Sequence, residues 1–237
     1  MIKNISKITV LIVFVFSSFI AKAQLGYNFS HYSIGFSGAM NTAMGDAQTQ
    51  TMTPSVNFNL TYNSSPYTNF VFEAQLGRLA GGDSLKTLSG RQFNNDFSAF
   101  IFRGQLQMGE LMDYSQSKFK NAIKNFYVSL GIGFVVNNIT AVSRNSYLVP
   151  GFTTPGEDKS KQPFIPLRIG YEFKIFNSYN EPNVCIDLGY GYNFILGDGL
   201  DGYSPTPGHH DAYTQFTLGV KFAIGGDVVS YKKMIPY

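Results

Sequence analysis

The residues that come closest to a catalytic or metal-binding set lie near the end of the chain, where Ser204 precedes His209, His210 and Asp211. A serine beside a histidine could form a hydrolase pair, and two histidines with an aspartate could bind zinc. Adjacent histidines on a strand point apart, however, and a zinc site needs three or four ligands at turn-compatible spacing. The sequence also contains no G-x-S-x-G motif. We therefore predict no catalytic site and no metal site, and the protein is not expected to be an enzyme.

An acidic run at 198–202, with the sequence DGLDG, could be taken for a calcium loop. It lacks the alternating oxygen ligands and the closing glutamate of such loops, so turn formation explains it better. Cys185 is the only cysteine, which excludes an intramolecular disulfide, and it is predicted to be a small interior residue. No cofactor is expected.

Seven charged residues form a second candidate set. Each lies on the polar side of a stretch in which apolar and polar residues alternate. They are Glu73, Arg103, Arg168, Glu172, Lys174, Asp187 and Lys221. Inside one enclosed space these charges could pair with one another, or they could line a narrow path for ions.

The elements that carry these charges are predicted from the alternation itself. In the stretch 214–224, TQFTLGVKFAI, the apolar side chains recur at every second position, which is typical of a strand with one apolar face. A strand of this length is about what a tilted span of a bilayer requires. Half-buried strands of a soluble periplasmic β-sandwich alternate in the same way, so a sandwich is the rival interpretation. The eight predicted strands are 31–40, 55–62, 69–79, 97–108, 126–138, 164–175, 184–196 and 214–224.

The sequence therefore predicts an all-β fold, an eight-stranded antiparallel up-and-down transmembrane β-barrel. The predicted connections alternate between long and short, as in bacterial outer-membrane barrels, with 109–125 as a long exception on the short side. Apolar residues at helical spacing, interleaved with Lys118, Lys120 and Lys124, predict one short amphipathic helix at about 110–124. This helix could lie at the membrane interface or be an ordinary surface helix.

An eight-stranded barrel has an interior just wide enough to be filled by side chains. Because an unpaired charge away from water is costly, the seven inward charges are expected to pair. We favour a salt-bridged structural network that fills the lumen over a narrow ion path or gate.

Residues 1–23 are predicted to be a signal peptide, cleaved after Ala23. Lys3 and Lys7 precede an apolar core at 8–20, and the A-x-A pattern follows. The predicted domains are thus the signal peptide, a barrel at 24–225 and a short periplasmic tail at 226–237. The residue directly after the cleavage site, Gln24, is not a cysteine, which disfavours a lipoprotein. Cleavage removes three lysines, so the 18 basic residues of the full chain fall to the number of its 15 acidic residues. Nucleic-acid binding, which needs a clustered basic face, is not expected.

The stretches VCIDLGYGYNFILG (184–197) and DAYTQFTLGVKFAIGG (211–226) resemble small outer-membrane barrels of the OmpA/OmpX type. They are most similar to uncharacterised and PorT-like barrels of Bacteroidota. The resemblance covers nearly the whole mature chain, through diffuse patterns rather than diagnostic residues. It implies the outer membrane of a Gram-negative cell envelope and carries over no active site. The chain departs from many such barrels by continuing after its last predicted strand.

The expected function is that of a non-catalytic, porin-like or OmpA-like barrel with a filled lumen. It would act in envelope integrity or in surface interaction through its extracellular loops. An accessory, PorT-like component of a protein secretion apparatus remains an alternative, and a lipid-modifying enzyme or a small pore is less favoured. The expected partners are outer-membrane lipid and envelope or secretion proteins, and the protein is expected to be a monomer.

Overall fold

The chain forms a closed antiparallel sheet of eight strands. The computed structural model describes residues 26–85, 90–115, 117–145, 151–203 and 210–232; the predicted signal peptide lies outside these residues. Each strand pairs with the next, and the first pairs with the last, which closes the barrel. The predicted eight-stranded up-and-down barrel is therefore confirmed. The strands are β1 Gly26–Met44, β2 Gln50–Asn63, β3 Thr68–Gly82, β4 Gln92–Gln107, β5 Phe126–Ser143, β6 Lys159–Phe176, β7 Pro182–Ile195 and β8 Ala212–Lys232.

The two ends of the barrel differ, and we name them by their connections. The loop end carries the connections 45–49, 83–91, 144–158 and 196–211, and the turn end carries 64–67, 108–125 and 177–181. Several strands extend further toward the loop end than predicted; β1, for example, was predicted to stop at residue 40. Pairs such as Asn41 with Thr53 continue the ladder there. Ladder hydrogen bonds use backbone groups, so polar side chains do not end a strand.

Alternation along each strand separates the two faces of the wall. On β3, Phe72 is 51% exposed, whereas Glu73 is 0% exposed. On β4, Phe102 and Arg103 differ in the same way, at 52% and 1%. The outer face is thus an apolar belt, and its exposed rings include stacked or tilted pairs such as Phe70 with Phe102.

The interior changes character along the barrel axis. Its turn-end half is polar and contains the inward charges described below. Its loop-end half is an apolar cluster, which the sequence analysis did not anticipate, formed by Ala43, Leu79, Phe93, Phe97, Ala99, Ile101, Val135, Phe164, Ile195, Leu200, Tyr203 and Tyr213.

The connection between β4 and β5 contains two short helices, α1 Met108–Leu111 and α2 Lys118–Ile123. The single helix predicted at about 110–124 is therefore divided. A new helix begins after Ser117, whose side chain accepts a hydrogen bond from the Lys120 backbone N–H at 3.4 Å. Among the described residues no helix is long and apolar enough to cross a membrane.

The join between β1 and β8 has the longest register in the sheet, from Gly26 with Lys232 to Met44 with Ala212. Gly225, whose φ is 93°, lies where the barrel had been predicted to end and the tail to begin. β8 continues beyond it, and its residues 228–232 pair with the start of β1. A glycine suits this position because other residues rarely adopt a positive φ.

The join between β5 and β6 is interrupted in the middle of the wall. Pairing runs through Leu130 with Leu167, then resumes at Gly133 with Phe164. Pro166 lies in the interval, and a proline has no N–H to donate to the ladder.

Candidate functional site: a lumen of ion pairs beneath a seated loop

The first group of lumen charges is centred on Glu73, whose carboxylate is shared by two arginines. Arg103 Nη2 lies 2.8 Å from Oε2, and Arg168 Nη2 lies 3.0 Å from Oε1. A further Arg168 hydrogen bond, from Nη1 to Oε2, measures 3.2 Å. Gln75 also donates to Oε1, at 2.7 Å. One buried anion is therefore shared by two buried cations, which come from β4 and β6.

Neutral polar side chains also bind these arginines, although Arg103 Nε has no hydrogen-bond partner among the described residues. Gln215 accepts a hydrogen bond from Arg168 Nη2 at 2.8 Å, and Ser129 accepts one from Arg103 Nη1 at 3.2 Å. Gln215 in turn donates to Asn41 at 2.9 Å. Buried networks of this kind hold a fixed geometry when their members are satisfied.

The second group of charges lies closer to the turn end and is centred on Glu172. Lys221 Nζ lies 2.6 Å from Glu172 Oε1 and 3.8 Å from Asp187 Oδ2. Asp187 also accepts a hydrogen bond from the Tyr127 hydroxyl at 2.8 Å. Gln107 donates to Glu172 Oε2 at 2.6 Å. It also accepts from Lys174 Nζ at 2.8 Å.

All seven charged residues selected from the sequence thus point into one lumen, and the structure brings them into these two groups. A small cavity of about 40 Å³ lies beneath the second group, lined in part by Glu172, Lys174, Cys185 and Lys221. This volume has room for a few water molecules at most.

The loop-end half of the lumen is closed by residues 197–203, which we call the seated loop. Leu200 and Tyr203 are 0% exposed and belong to the apolar cluster of the interior. The ring of Tyr213 lies below them in the same cluster, with its centroid 5.6 Å from that of Phe97. A loop that carries apolar side chains into a barrel mouth removes them from water, which favours the seated position.

Polar contacts fix the seated loop to two other connections at the loop end. The Tyr203 hydroxyl donates to the Ser143 carbonyl at 2.7 Å and accepts from the Gln92 N–H at 2.9 Å. Arg144 donates to the Gly202 carbonyl from both Nε and Nη2, at 3.1 and 3.0 Å. Burial raises the pKa of the Tyr203 hydroxyl to about 12, so it remains a donor at physiological pH.

Two buried aspartates lie at the base of the seated loop. Asp201 accepts from the Asp46 N–H at 2.7 Å, and Asp211 accepts from the Leu200 N–H at 2.8 Å. Burial, together with the negative charge of neighbouring aspartates, raises the pKa of Asp201 to about 6 and that of Asp211 to about 8. The backbone of Gly45 comes so close to both carboxylates that a Cβ there would clash with them. We call Asp201 and Asp211 the loop carboxylates.

The residues considered for catalysis or metal binding lie only partly within the described structure. Ser204 and His209 lie outside the described residues. His210 is exposed, with its ring 5.5 Å from that of Phe194. Among the described residues no group of three or more His, Cys, Asp or Glu could hold a metal ion. Cys185 is partly buried in the wall of the turn-end cavity.

The alternating sequence pattern predicts neither the seated loop nor the apolar half of the lumen. A signal for the apolar half of the lumen is present in β4. Phe97, Ala99 and Ile101 face inward there, and Phe100 and Phe102 face outward. A strand that is apolar at both parities is buried on both faces, or buried on one and in lipid on the other.

A closed antiparallel sheet with an apolar outer belt and a polar, ion-paired interior is the architecture of transmembrane β-barrels. The chain is a small barrel of this class, of the outer-membrane type. No family model and no curated protein matches the sequence.

Several solved structures are similar to this chain. They include the Neisserial surface protein A, with 14% identity, 82% of this chain and 98% of that chain covered, and a TM-score of 0.46. The attachment invasion locus protein Ail of Yersinia pestis has 12% identity, coverage of 83% and 97%, and a TM-score of 0.44. The outer membrane protein OprG of Pseudomonas aeruginosa has 11% identity, coverage of 84% and 99%, and a TM-score of 0.36. The class of this protein is defined by its own strand order, belt and interior.

Proposed function

We propose that this protein is a non-catalytic component of the bacterial outer membrane that acts through the surface formed by its loops, in envelope integrity or surface interaction. The observation that carries the proposal is the packing of the lumen. Ion-paired side chains lie in the turn-end half, and Leu200 and Tyr203 of the seated loop are buried in the apolar cluster at the other end. A barrel without a continuous path offers solutes no route, so its exterior is the part available for function.

The loop end is suited to binding because its connections support one another. Arg144 bonds to the Gly202 carbonyl, and Arg91 lies 5.2 Å from the centroid of the Tyr203 ring, so three of the connections are in contact. Gly156 approaches the Gly202 carbonyl so closely that a side chain would not fit between them. A preorganised surface loses less conformational entropy when a partner binds. Apolar side chains such as Phe152 are exposed on it and could form the centre of a contact.

Planar-bilayer recording tests the closed lumen. We expect no steady conductance from the wild-type monomer. Stable, ion-selective conductance would contradict the proposal, because it would require a continuous aqueous path through both layers of the interior.

Site-specific photo-crosslinking in living cells tests which end meets partners. The crosslinker replaces Phe152 at the loop end or, as the matched control, Tyr179 at the turn end; both side chains are exposed. Adducts with surface or envelope molecules from position 152 alone would support the proposal. Adducts with secretion proteins from position 179 alone would instead favour the accessory role in a secretion apparatus.

A further inference from the structure

We propose that the outer wall of the barrel, at the loop end, carries a binding site for the phosphorylated headgroup of a membrane lipid, formed by Lys159 and Lys161 of β6. Both side chains are exposed. They line an open groove of about 580 Å³, whose other outward side chains are Val136, Asn138 and Glu157. The site is on the outside of the wall and does not depend on whether the lumen is closed.

The position of the lysines relative to the belt matches the level of lipid headgroups. Lys159 and Lys161 share the outward parity of Ile165, Leu167 and Ile169, which form the apolar face of β6. Lys161 precedes Ile165 by four residues. On a strand tilted by about 40°, this places Lys161 about 10 Å closer to the loop end along the barrel axis. The two cations therefore come just after the last apolar residues of the belt, where the charged parts of lipids lie.

The two lysines are available for a ligand, unlike other cations at this end of the barrel. Arg78 pairs with Asp96 at 2.8 Å, and Arg144 pairs with Asp158 at 2.8 Å. Within the described parts of the chain, the ammonium groups of Lys159 and Lys161 have no ion-pair or hydrogen-bond partner. Their spacing of two residues on one strand face directs both ammonium groups to the same side.

The groove combines the two chemistries that a lipid with an anionic headgroup requires. Val136, which pairs with Lys161, gives the groove an apolar floor, and Pro163 is the next outward residue of β6 beside the groove. Lysine stems can lie along such a floor while their ammonium groups reach phosphates. Glu157 introduces one negative charge, which opposes a phosphate and leaves the groove with a net charge of one positive unit.

A fluorescence titration tests the site. The chain contains no tryptophan, so Val136→Trp places a single reporter in the groove. The purified full-length barrel in non-ionic detergent is titrated with lipid A, with dephosphorylated lipid A and with phosphatidylglycerol. We expect a saturable blue shift with phosphorylated lipid and none with dephosphorylated lipid A.

Charge variants of the Val136→Trp protein should change lipid affinity in opposite directions. The double variant K159Q/K161Q should bind about 25-fold more weakly, or about fivefold for each lysine, because a lysine near an anionic surface contributes about 1 kcal/mol. Glu157→Gln should bind more tightly, which general damage to the fold would not produce. The matched control K118Q/K120Q removes two exposed lysines at the turn end and should bind as its parent does. Native mass spectrometry of the barrel without the tryptophan counts bound lipid independently.

Each outcome decides the matter. Tighter binding of lipid A than of phosphatidylglycerol supports the site and identifies a glycolipid as its ligand; equal binding supports it with any anionic lipid as the source. Binding that is independent of the phosphates overturns the proposal, as does a K159Q/K161Q variant that binds like its parent. Equal losses in K159Q/K161Q and K118Q/K120Q would show non-specific attraction and would overturn it as well.

Discussion

Replacing Glu73 with glutamine should destabilise the barrel more than replacing either of its arginine partners. The variant keeps the shape of the side chain but removes the one anion between Arg103 and Arg168, whose side chains are 1% and 6% exposed. Breaking a buried ion pair by removing one partner costs about 3–5 kcal/mol, because it leaves an uncompensated charge. Glu73→Gln leaves two such charges, so we expect a loss at the upper part of that range, about 4 kcal/mol or more.

The comparison with Arg103→Met is the informative part of the experiment. The sequence alone suggests that this change strands a buried carboxylate at a cost of about 3 kcal/mol. In the structure Glu73 still accepts hydrogen bonds from Arg168 at 3.0 and 3.2 Å after Arg103 is removed. We therefore expect a smaller loss, about 2 kcal/mol, typical of one hydrogen bond to a charged group.

The free energy of unfolding is measured by urea titration in lipid vesicles, with circular dichroism and heat-modifiable gel mobility as the two probes. Phe102→Leu, at the lipid-facing neighbour of Arg103, is the control and should cost less than about 1.5 kcal/mol. If Arg103→Met were as destabilising as Glu73→Gln, the shared carboxylate would not be the centre of the network and the reasoning would fail.

Three further predictions concern the connections. The raised pKa values mean that the loop carboxylates hold protons more tightly when the loop is seated than when it is released. The seated position is therefore most stable below about pH 4. Its stability decreases as pH rises through about 6 and then about 8. Hydrogen exchange at 200–203, corrected for the intrinsic rate, should increase over this range and lose most of the dependence in Asp211→Asn; protection that grows with pH would contradict the assignment. The Tyr171 hydroxyl bonds to the Ala122 carbonyl at 2.6 Å and holds α2 against the outer wall. In nanodiscs the fluorescence of Phe119→Trp should therefore be quenched by brominated lipid, whereas that of Tyr179→Trp should be quenched by aqueous iodide. The reverse pattern would make α2 an ordinary surface helix. Gly156→Val should force two loops apart and speed proteolysis of folded barrels at the loop end without changing heat-modifiable mobility; unchanged cleavage would show that the close approach is not needed.

The parts of the fold that were predictable from the sequence are those encoded by a period of two. Alternation such as that of Phe72 with Glu73 assigns each residue to lipid or lumen, so strand number, parity and the seven inward charges could be selected in advance. Alternation does not say which charges meet. That Arg103 and Arg168 converge on one carboxylate depends on the stagger of β3, β4 and β6 across the lumen, which is a property of the closed sheet.

The seated loop could not be predicted because its sequence has no alternating pattern. Gly199, Gly202 and two aspartates suggest a solvent-exposed turn, and a single leucine and tyrosine among them do not form a period. The burial of this leucine and tyrosine depends on the apolar loop-end half of the lumen, to which residues from several strands contribute. The strand ends were underestimated for a related reason, since ladders that continue beyond the belt have polar residues on both faces.

The unequal joins of the wall have a consequence for the lifetime of the folded protein. In a barrel closed by its first and last strands, that closure is the expected place for the wall to come apart. Here the closure is the longest join, and the β5–β6 join lacks an N–H donor at Pro166. Rupture should therefore begin between β5 and β6, and the unfolding rate should respond to changes at that join while remaining insensitive to trimming of β8 beyond Gly225.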